Sequence, residues 1–130
     1  MVKISTPYAC PCGGNTYLDC CQPYHQGIPA PTAEALMRSR YSAYVLGLEG
    51  YLLETWHPDY RPANLGLADE LPAKWLELEI KRHEASDESS AIVEFVAKYK
   101  LGGKAYRLHE ISRFSRLDGR WLYLDGELKT

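Results

Sequence analysis

The stretch Trp75-Leu76-Glu77-Leu78-Glu79-Ile80-Lys81 alternates apolar and charged side chains. Successive side chains of a strand point to opposite faces of a sheet, so the alternation predicts a half-buried strand with Leu76, Leu78 and Ile80 on its apolar face. A helix would repeat its buried face every 3.6 residues, and this stretch lacks that period. The second half of the chain is therefore predicted to begin a sheet.

Three further strands are predicted downstream of it, over residues 91–99, 104–116 and 120–125. The pairs Gly102-Gly103 and Asp118-Gly119 between them favour tight hairpins, because both residues tolerate a positive φ. Residues 87–90 predict the turn that precedes the second strand. Short turns join antiparallel neighbours, so the four strands are expected to form a meander.

The residues before the sheet carry a helical period. Thr32 is a candidate N-cap, and the side chains that recur on one helical face are Met37, Tyr41, Tyr44 and Leu48. Gly47 and Gly50 are expected to end or kink this helix. A second helix is predicted over residues 51–57 and is stopped by Pro58, with a loop over 58–72. Helices followed by an antiparallel meander predict an α+β fold.

Length and charge narrow the function classes. The chain has 130 residues, 45% hydrophobic and 25% charged, which fits one main globular domain with at most a small appendage. Its net charge of -2 argues against a nucleic-acid or anionic-membrane partner. No apolar run approaches the roughly 20 residues that a membrane helix needs. The first seven residues lack the apolar core of a secretion signal, so a cytoplasmic location is expected.

All four cysteines fall within residues 10–21, as Cys10-Pro11-Cys12, seven residues, then Cys20-Cys21. In a reducing compartment such thiols are better interpreted as metal ligands than as disulfides. Four thiolates suit tetrahedral zinc and leave no open position, which predicts a structural rather than a catalytic site. His25 competes as the fourth ligand, because adjacent cysteines do not always reach one ion. A redox pair and inert thiols are the alternatives, and the lack of Cys-x-x-Cys counts against the redox pair.

The motif Cys10-Pro11-Cys12-Gly13…Tyr17…Cys20-Cys21 resembles the SEC-C zinc motif, named from the C-terminal tail of the SecA translocation ATPase. The stretches 36–44 (LMRSRYSAY) and 55–58 (TWHP) resemble the YchJ-like family of uncharacterised bacterial proteins. The resemblance covers almost the whole chain. It implies a SEC-C segment over residues 1–29 and a nuclear transport factor 2-like (NTF2-like) domain over 30–130, in which a curved antiparallel sheet wraps around helices as a cone with an open end.

The resemblance also implies a ligand set for structural Zn²⁺, namely Cys10, Cys12, Cys20 and Cys21. The family motif usually has eight residues between its second cysteine and its cysteine pair, whereas residues 13–19 are seven. Gly14 also stands where serine is usual. The shorter spacing leaves open whether Cys21 or His25 is the fourth ligand.

A candidate pocket follows from the third strand, where Leu108, Glu110, Ser112 and Phe114 share a face. A carboxylate between apolar neighbours needs a partner, and Arg40 at the edge of the helix's apolar face is the candidate. The pocket candidates are Arg40, Tyr44, Trp56, His57, Glu110 and Asp125. They predict either an acid–base pocket or a buried Arg40–Glu110 ion pair that fixes helix against sheet.

Two classes of function remain open. The first is a zinc-stabilised binding or adaptor protein, whose residues Tyr17, Tyr24 and His25 beside the zinc would contact a protein partner. The alternative is a small-molecule enzyme with isomerase- or dehydratase-like acid–base chemistry, or a ligand carrier, using the cone. No specific catalytic motif is present, which counts against an enzyme. A cavity lined by polar groups would favour the second class, and a filled cone the first. A homodimer through the sheet is a further expectation.

Overall fold

The structure is a computed structural model that describes residues 9–14, 16–65 and 74–129. Within these residues, three α-helices precede the sheet: α1 (Gln22–His25), α2 (Ala33–Leu46) and α3 (Glu49–Glu54). Thr32 caps α2 as predicted, because its hydroxyl accepts a hydrogen bond from the Ala35 backbone N–H at 3.0 Å. Gly47 ends α2 with a left-handed φ of 73°. Beyond residue 65, the predicted 58–72 loop lies outside the described residues.

The sheet is an antiparallel meander in the order β1-β2-β3-β4, formed by β1 (Lys74–Asp87), β2 (Ser90–Leu101), β3 (Lys104–Leu117) and β4 (Arg120–Leu128). Both glycine-containing turns have positive φ at their two central residues, 60° and 81° at Gly102-Gly103 and 52° and 79° at Asp118-Gly119. This geometry matches the twist of the adjoining strands. The α+β fold with a curved sheet is confirmed.

The predicted apolar face of the first strand is wrong at Leu76 and confirmed at Leu78 and Ile80, which pack against the core. The register of β1 shifts between Trp75 and Glu77, which makes Leu76 an extra residue, and it shifts again between Ile80 and Arg82. Leu76 is consequently 45% exposed, while Trp75 packs with Leu78 against the core. A bulge turns the following side chains to the other face and bends the strand, which curves the sheet.

The second helix is also shorter than predicted, because Glu54 ends it and the next residues pair with β4. The Tyr123 backbone N–H donates to the Thr55 carbonyl and the His57 N–H donates to the Tyr123 carbonyl, each at 2.8 Å. Trp56 and Tyr123 form a parallel bridge. Backbone pairing with the sheet therefore replaces the last helical turn that the spacing predicted.

The core lies between α2 and the inner face of the sheet. Leu36 and Met37 of α2 are buried in one cluster with Val93, Phe95 and Phe114 of β2 and β3. The same cluster includes three buried cysteines and Tyr17, so the cysteine-rich segment packs directly on the domain core. Among the described residues no helix is long and apolar enough to cross a bilayer.

Candidate metal centre and cone cavity

The four cysteines converge although two short backbone elements supply them. Cys10 and Cys12 lie in a turn in which the Gly13 N–H donates to the Cys10 carbonyl at 3.0 Å, with Gly13 at a φ of 91°. Cys20 follows a 3-10 turn (Tyr17–Asp19), and Cys21 immediately precedes α1. A β-bridge between Ala9 and Thr16 closes the loop. These local hydrogen bonds bring both cysteine pairs to one place.

The four Sγ atoms lie within 4.8 Å of one another. Cys12 Sγ is 3.5 Å from Cys20 Sγ, which in turn is 4.0 Å from Cys21 Sγ. A tetrahedron of sulfurs at the zinc–sulfur distance of about 2.3 Å has edges of about 3.8 Å, so the cluster has the size of a thiolate site. The cysteines are free thiols, and three of them are buried. These four cysteines could hold a metal ion.

Crowding shifts the pKa values of Cys10, Cys20 and Cys21 in different directions. Hydrogen bonds from Cys12 and Cys21 lower the pKa of Cys10 far below its usual range. Burial, followed by the neighbouring Cys12, raises the pKa of Cys20 to about 12. Hydrogen bonding with Cys10 and Cys12 raises the pKa of Cys21. Without a cation, sulfurs this close cannot all be ionised, whereas a divalent metal stabilises all four thiolates.

Helix α2 holds the cluster from one side. The Ser42 hydroxyl donates to Cys21 Sγ at 3.3 Å and lies 3.4 Å from Cys10 Sγ. Arg38 Nη1 donates to the Cys12 carbonyl at 3.0 Å. Ser42 is fully buried, so its hydroxyl is a fixed part of the cysteine environment. Groups that hydrogen-bond to metal-ligating residues in this way fix the orientation of those residues. Sequence reasoning missed both residues, although their separation by four positions places them on one helical face.

Gly14 approaches the cluster closely. A Cβ at this position would lie 2.7 Å from Cys20 Sγ and 3.5 Å from Cys12 Sγ. The serine that is usual at this place in the family motif would therefore collide with a cysteine sulfur in this loop. Position 14 therefore needs glycine because a side chain would not fit there, and not because of its backbone φ.

His25 lies beside the cluster but outside it. Its Nε2 is 2.8 Å from the Ser39 carbonyl, which can only accept, so Nε2 carries the proton. Its Nδ1 then accepts from the Tyr17 hydroxyl at 2.6 Å. Burial lowers the pKa of His25 and keeps the ring neutral. Both ring nitrogens are thus occupied, which argues against His25 as the fourth ligand. Tyr17 is buried and His25 is half-buried, so neither is the exposed side chain that a partner contact was expected to use. Contact of this segment with a protein partner stays a prediction.

A cavity of about 250 Å³ lies inside the cone, between α2 and the inner face of the sheet. Its apolar walls are Met37, Trp75, Phe95, Ala97 and Leu108. Its polar lining consists of Arg40, Tyr41, Tyr44, Glu110, Ser112 and Tyr123. The structure therefore brings three of the pocket candidates to one space: Arg40, Tyr44 and Glu110. Ser112 lines it because it shares the strand face of Glu110, as its alternation predicts.

Arg40 is 3% exposed and anchors α2 to α3. Its Nη1 donates to the Leu52 carbonyl and to the Thr55 hydroxyl, each at 2.7 Å. The guanidinium lies 4.5 Å from the centroid of the Tyr123 ring and 5.2 Å from that of Trp56. Burial lowers its pKa, but a guanidinium stays protonated at neutral pH. Arg40 is therefore a buried cation held by carbonyl, hydroxyl and aromatic faces.

The predicted Arg40–Glu110 ion pair is wrong, since no ion pair among the described residues joins these two side chains. Glu110 instead accepts from the Ser112 hydroxyl at 2.5 Å and from the Tyr123 hydroxyl at 3.3 Å, both on Oε2. The ring of Tyr123 stacks below Arg40, while its hydroxyl reaches Glu110. Burial raises the pKa of Tyr123. The two charges thus lie in one cavity and are connected through Tyr123.

The hydroxyl of Tyr41 is a buried polar group without a hydrogen-bond partner among the described residues. Its side chain is 3% exposed, and its hydroxyl has no hydrogen-bond partner in the part of the chain that the structure describes. Burial raises its pKa to about 12, so the hydroxyl is protonated at neutral pH. A buried hydroxyl without a partner costs about 1–3 kcal/mol, which proteins usually avoid. The helical spacing found Tyr41, but only as one member of the apolar face.

Three pocket candidates lie elsewhere, which corrects the sequence interpretation. Trp56 donates to the Leu124 carbonyl at 3.0 Å and packs against the lining residues Arg40 and Tyr123 without lining the cavity itself. His57 Nδ1 accepts from the Asp59 N–H at 3.1 Å, and its ring lies edge-on to Tyr60, outside the cavity. The strand-like pairing of residues 55–57 with β4 turns His57 away.

Asp125 lies on the opposite face of the sheet. A register shift after Arg113 pairs Phe114 with Tyr123 and Arg113 with Asp125, so Tyr123 and Asp125 face opposite sides. Asp125 accepts two hydrogen bonds of 2.7 Å from Arg113 in an exposed pair. Arg113 lowers the pKa of Asp125. This bulge is why alternation along β4 did not assign the face of Asp125.

Comparison with known proteins adds the relatives of this chain. Residues 32–126 match the family described as "YchJ, middle NTF2-like domain". A UPF0225 protein from Chromobacterium violaceum is 58% identical over 123 residues, covering 91% of each chain. A UPF0225 protein from Ralstonia nicotianae is 56% identical over 131 residues, covering 92% of this chain and 91% of the relative.

Two solved structures share the fold. The solution structure of a SEC-C motif containing protein from Rhodopseudomonas palustris has a TM-score of 0.83 and 35% identity, covering 95% of this chain and all of the other. The crystal structure of a SEC-C motif containing protein from Psychrobacter arcticus has a TM-score of 0.74 and 32% identity, covering 100% of this chain and 78% of the other. Both likenesses extend across the cysteine-rich segment and the sheet.

Proposed function

Because this chain belongs to the YchJ-like UPF0225 family, in which an NTF2-like domain follows a cysteine-rich segment, we propose that it is a zinc-stabilised protein that binds a small organic molecule in its cone. Zn²⁺ on Cys10, Cys12, Cys20 and Cys21 would hold the segment on the domain. The cavity under α2 would hold the ligand.

The donor set supports a structural zinc site. Four sulfurs at tetrahedral spacing fill the coordination sphere and leave no position for water or substrate. Ser42 and Arg38 fix the cluster through hydrogen bonds to cysteine atoms, which is typical of a site that stays in one geometry. The SEC-C likeness of both solved structures agrees with this assignment.

One observation carries the ligand-binding function: Tyr41 lines the cavity, and its buried hydroxyl has no partner in the described part of the chain. Elsewhere in the core, the hydroxyls of Ser39 and Thr55 each have partners. A buried hydroxyl left without a partner on a residue that lines a cavity is typical of a site that a ligand completes.

The lining favours binding over catalysis. Glu110 is the single carboxylate among the lining residues that the structure describes, and no cysteine, histidine or lysine stands with them. Acid–base catalysis at Glu110 stays a prediction, as does a protein partner at the zinc segment.

The test is a fragment screen followed by amide chemical shifts of zinc-loaded protein. Bound fragments should shift amides of α2 and of the inner-facing residues of β2 and β3. Ala97→Leu should abolish these shifts, because Ala97 is 1% exposed and the added carbons enter the cavity. Ala105→Leu is the matched control at an exposed position of β3 and should leave them intact. Shifts confined to other surfaces, or unaffected by Ala97→Leu, would contradict the proposal.

A further inference from the structure

The cavity walls are predominantly aromatic. Tyr41, Tyr44, Trp75 and Phe95 all line it. The Tyr41 ring meets Trp75 edge-on, with centroids 5.7 Å apart and an interplanar angle of 76°, and Tyr44 is tilted against Trp75 by 48°. Aromatic walls that meet at angles, rather than stacking on one another, complement a flat ring inserted between them. The shape of the lining therefore favours a planar ligand over a flexible chain.

Size sets an upper limit on that ring system. The cavity volume of about 250 Å³ lies just below the roughly 300 Å³ at which common ligand pockets begin. A mono- or bicyclic molecule fits this volume, whereas a dinucleotide or a porphyrin does not.

The two opposite charges of the cavity lining favour an uncharged ligand. The cavity contains one cation, Arg40, and one carboxylate, Glu110, which are not ion-paired to each other. A ligand with a net charge would meet a wall of its own sign in a space where charge is poorly solvated. A neutral ligand avoids that penalty, provided that it hydrogen-bonds to both walls.

The hydrogen-bonding groups of the lining determine which donors and acceptors the ligand must carry. Arg40 can only donate, and ionised Glu110 can only accept. Glu110 Oε2 already receives the hydroxyls of Ser112 and Tyr123, and a carboxylate accepts about four hydrogen bonds in all. The unpartnered Tyr41 hydroxyl can donate or accept. A complementary ligand therefore carries both a donor and an acceptor on its ring, as amide-like and aminopyrimidine-like edges do.

We infer that the cone cavity binds an uncharged, planar, one- or two-ring nitrogen heterocycle that donates to Glu110 and accepts from Tyr41 or Arg40. This inference rests on the proposed small-ligand function and narrows it to one chemical class.

The experiment is a calorimetric titration of zinc-loaded protein with a panel of probes. Pterin and hypoxanthine represent the inferred class, indole an apolar planar ring, benzoate a planar anion and tryptophan a zwitterion. Pterin or hypoxanthine should bind at least tenfold more tightly than the other three. Glu110→Gln should weaken that binding by about tenfold, the size of one hydrogen bond in a buried site, and Tyr41→Phe should weaken it by the same factor where Tyr41 rather than Arg40 is the donor. Tyr60→Phe, which removes an exposed hydroxyl outside the cavity, should leave it unchanged.

The outcomes separate the inference from the function beneath it. Equal or tighter binding of indole, benzoate or tryptophan, abolished by Ala97→Leu, would overturn the ligand class and keep the small-ligand function. Pterin binding that is indifferent to both Tyr41→Phe and Glu110→Gln would also overturn the class. If no probe binds and the fragment screen finds no compound that shifts cavity amides, the proposed function itself is wrong.

Discussion

The two sites on either side of helix α2 differ in whether their polar groups have hydrogen-bond partners. Towards the cysteines, Ser42 and Arg38 donate to cysteine atoms, and His25 has both ring nitrogens bonded. Among the residues that line the cavity, Tyr41 has a hydroxyl without a partner in the described residues, and Arg40 and Glu110 do not pair. This contrast underlies the proposed function, with a structural metal on one side of α2 and a bound ligand on the other.

The largest expected effect is the loss of a cysteine. Cys12→Ser should abolish zinc binding and destabilise the domain by several kcal/mol, part of the roughly 10 kcal/mol that a structural zinc supplies to small domains. Zinc per chain by elemental analysis, together with urea unfolding, measures both effects. His25→Gln is the control and should retain about one zinc per chain. Zinc lost from His25→Gln but kept by Cys21→Ser would reassign the fourth ligand.

Arg40→Met should have the next largest effect. It removes the hydrogen bonds to the Leu52 carbonyl and the Thr55 hydroxyl, so the unfolding free energy should fall by about 3 kcal/mol. Arg38→Met makes the same chemical change at a partly exposed site on the other face and should cost about 1 kcal/mol. A larger loss from Arg38→Met would reverse the assigned roles of these two residues.

Ser42→Ala should weaken zinc binding without abolishing it. The hydroxyl donates to a cysteine sulfur from behind the cluster, and removal of such support typically lowers metal affinity by about 10–100-fold. Competition against a chromogenic chelator measures the change. Ser112→Ala removes an equally buried hydroxyl on the cavity side and should leave zinc affinity unchanged. Equal losses in both variants would mean that general destabilisation causes the effect.

Two tyrosine variants sharpen the comparison through the sign of a small change. Tyr41→Phe removes an unpartnered hydroxyl and should leave the unfolding free energy of ligand-free protein unchanged or raise it by up to about 1 kcal/mol. Tyr51→Phe removes a hydroxyl that lies 2.7 Å from Ser39 Oγ and should lower it by about 1 kcal/mol. Urea unfolding of both variants is the measurement. A clear loss in Tyr41→Phe would mean that its hydroxyl has a partner in solution.

The smallest effect concerns the exposed Arg113–Asp125 pair. Arg113 lowers the pKa of Asp125, so the carboxylate releases its proton more readily in the folded state. The pair's stabilisation is therefore present above the unfolded pKa of about 3.9 and is lost as pH falls through the lower, folded pKa. Because both side chains are about half exposed, it should amount to a few tenths of a kcal/mol. The stability difference between wild type and Asp125→Asn should vanish in acid, and a difference that grew there would contradict the sign.

Patterns with a fixed period predicted most of the fold. The hairpin pairs set the ends of β2, β3 and β4, and Thr32 and Gly47 set the ends of α2, because those residues act through local backbone geometry. The bulge at Leu76 and the β4 pairing of residues 55–57 were not predicted, because both depend on strand partners distant in sequence. Alternation reports a face only while the register is unbroken.

The two sites also differ in how far the sequence alone predicted them. The cysteine spacing identified the cluster because its residues are close in sequence. The cavity depends on how α2 packs over the sheet, which local sequence patterns do not show. The sequence therefore nominated Glu110 and Arg40 as cavity residues but did not predict that they form no ion pair. Tyr41 illustrates the limit: a tyrosine on an apolar helical face is usual, and only the packed structure shows that its hydroxyl lacks a partner.

The most direct test of the division between a closed metal site and an open cavity is cobalt substitution. The account predicts that Co²⁺ replaces Zn²⁺ with the absorption spectrum of a tetrahedral ion bound by four thiolates, and that added imidazole or cyanide leaves this spectrum unchanged. A five- or six-coordinate spectrum, or a spectrum that shifts when imidazole is added, would show an open coordination position. That result would contradict a closed, purely structural metal site.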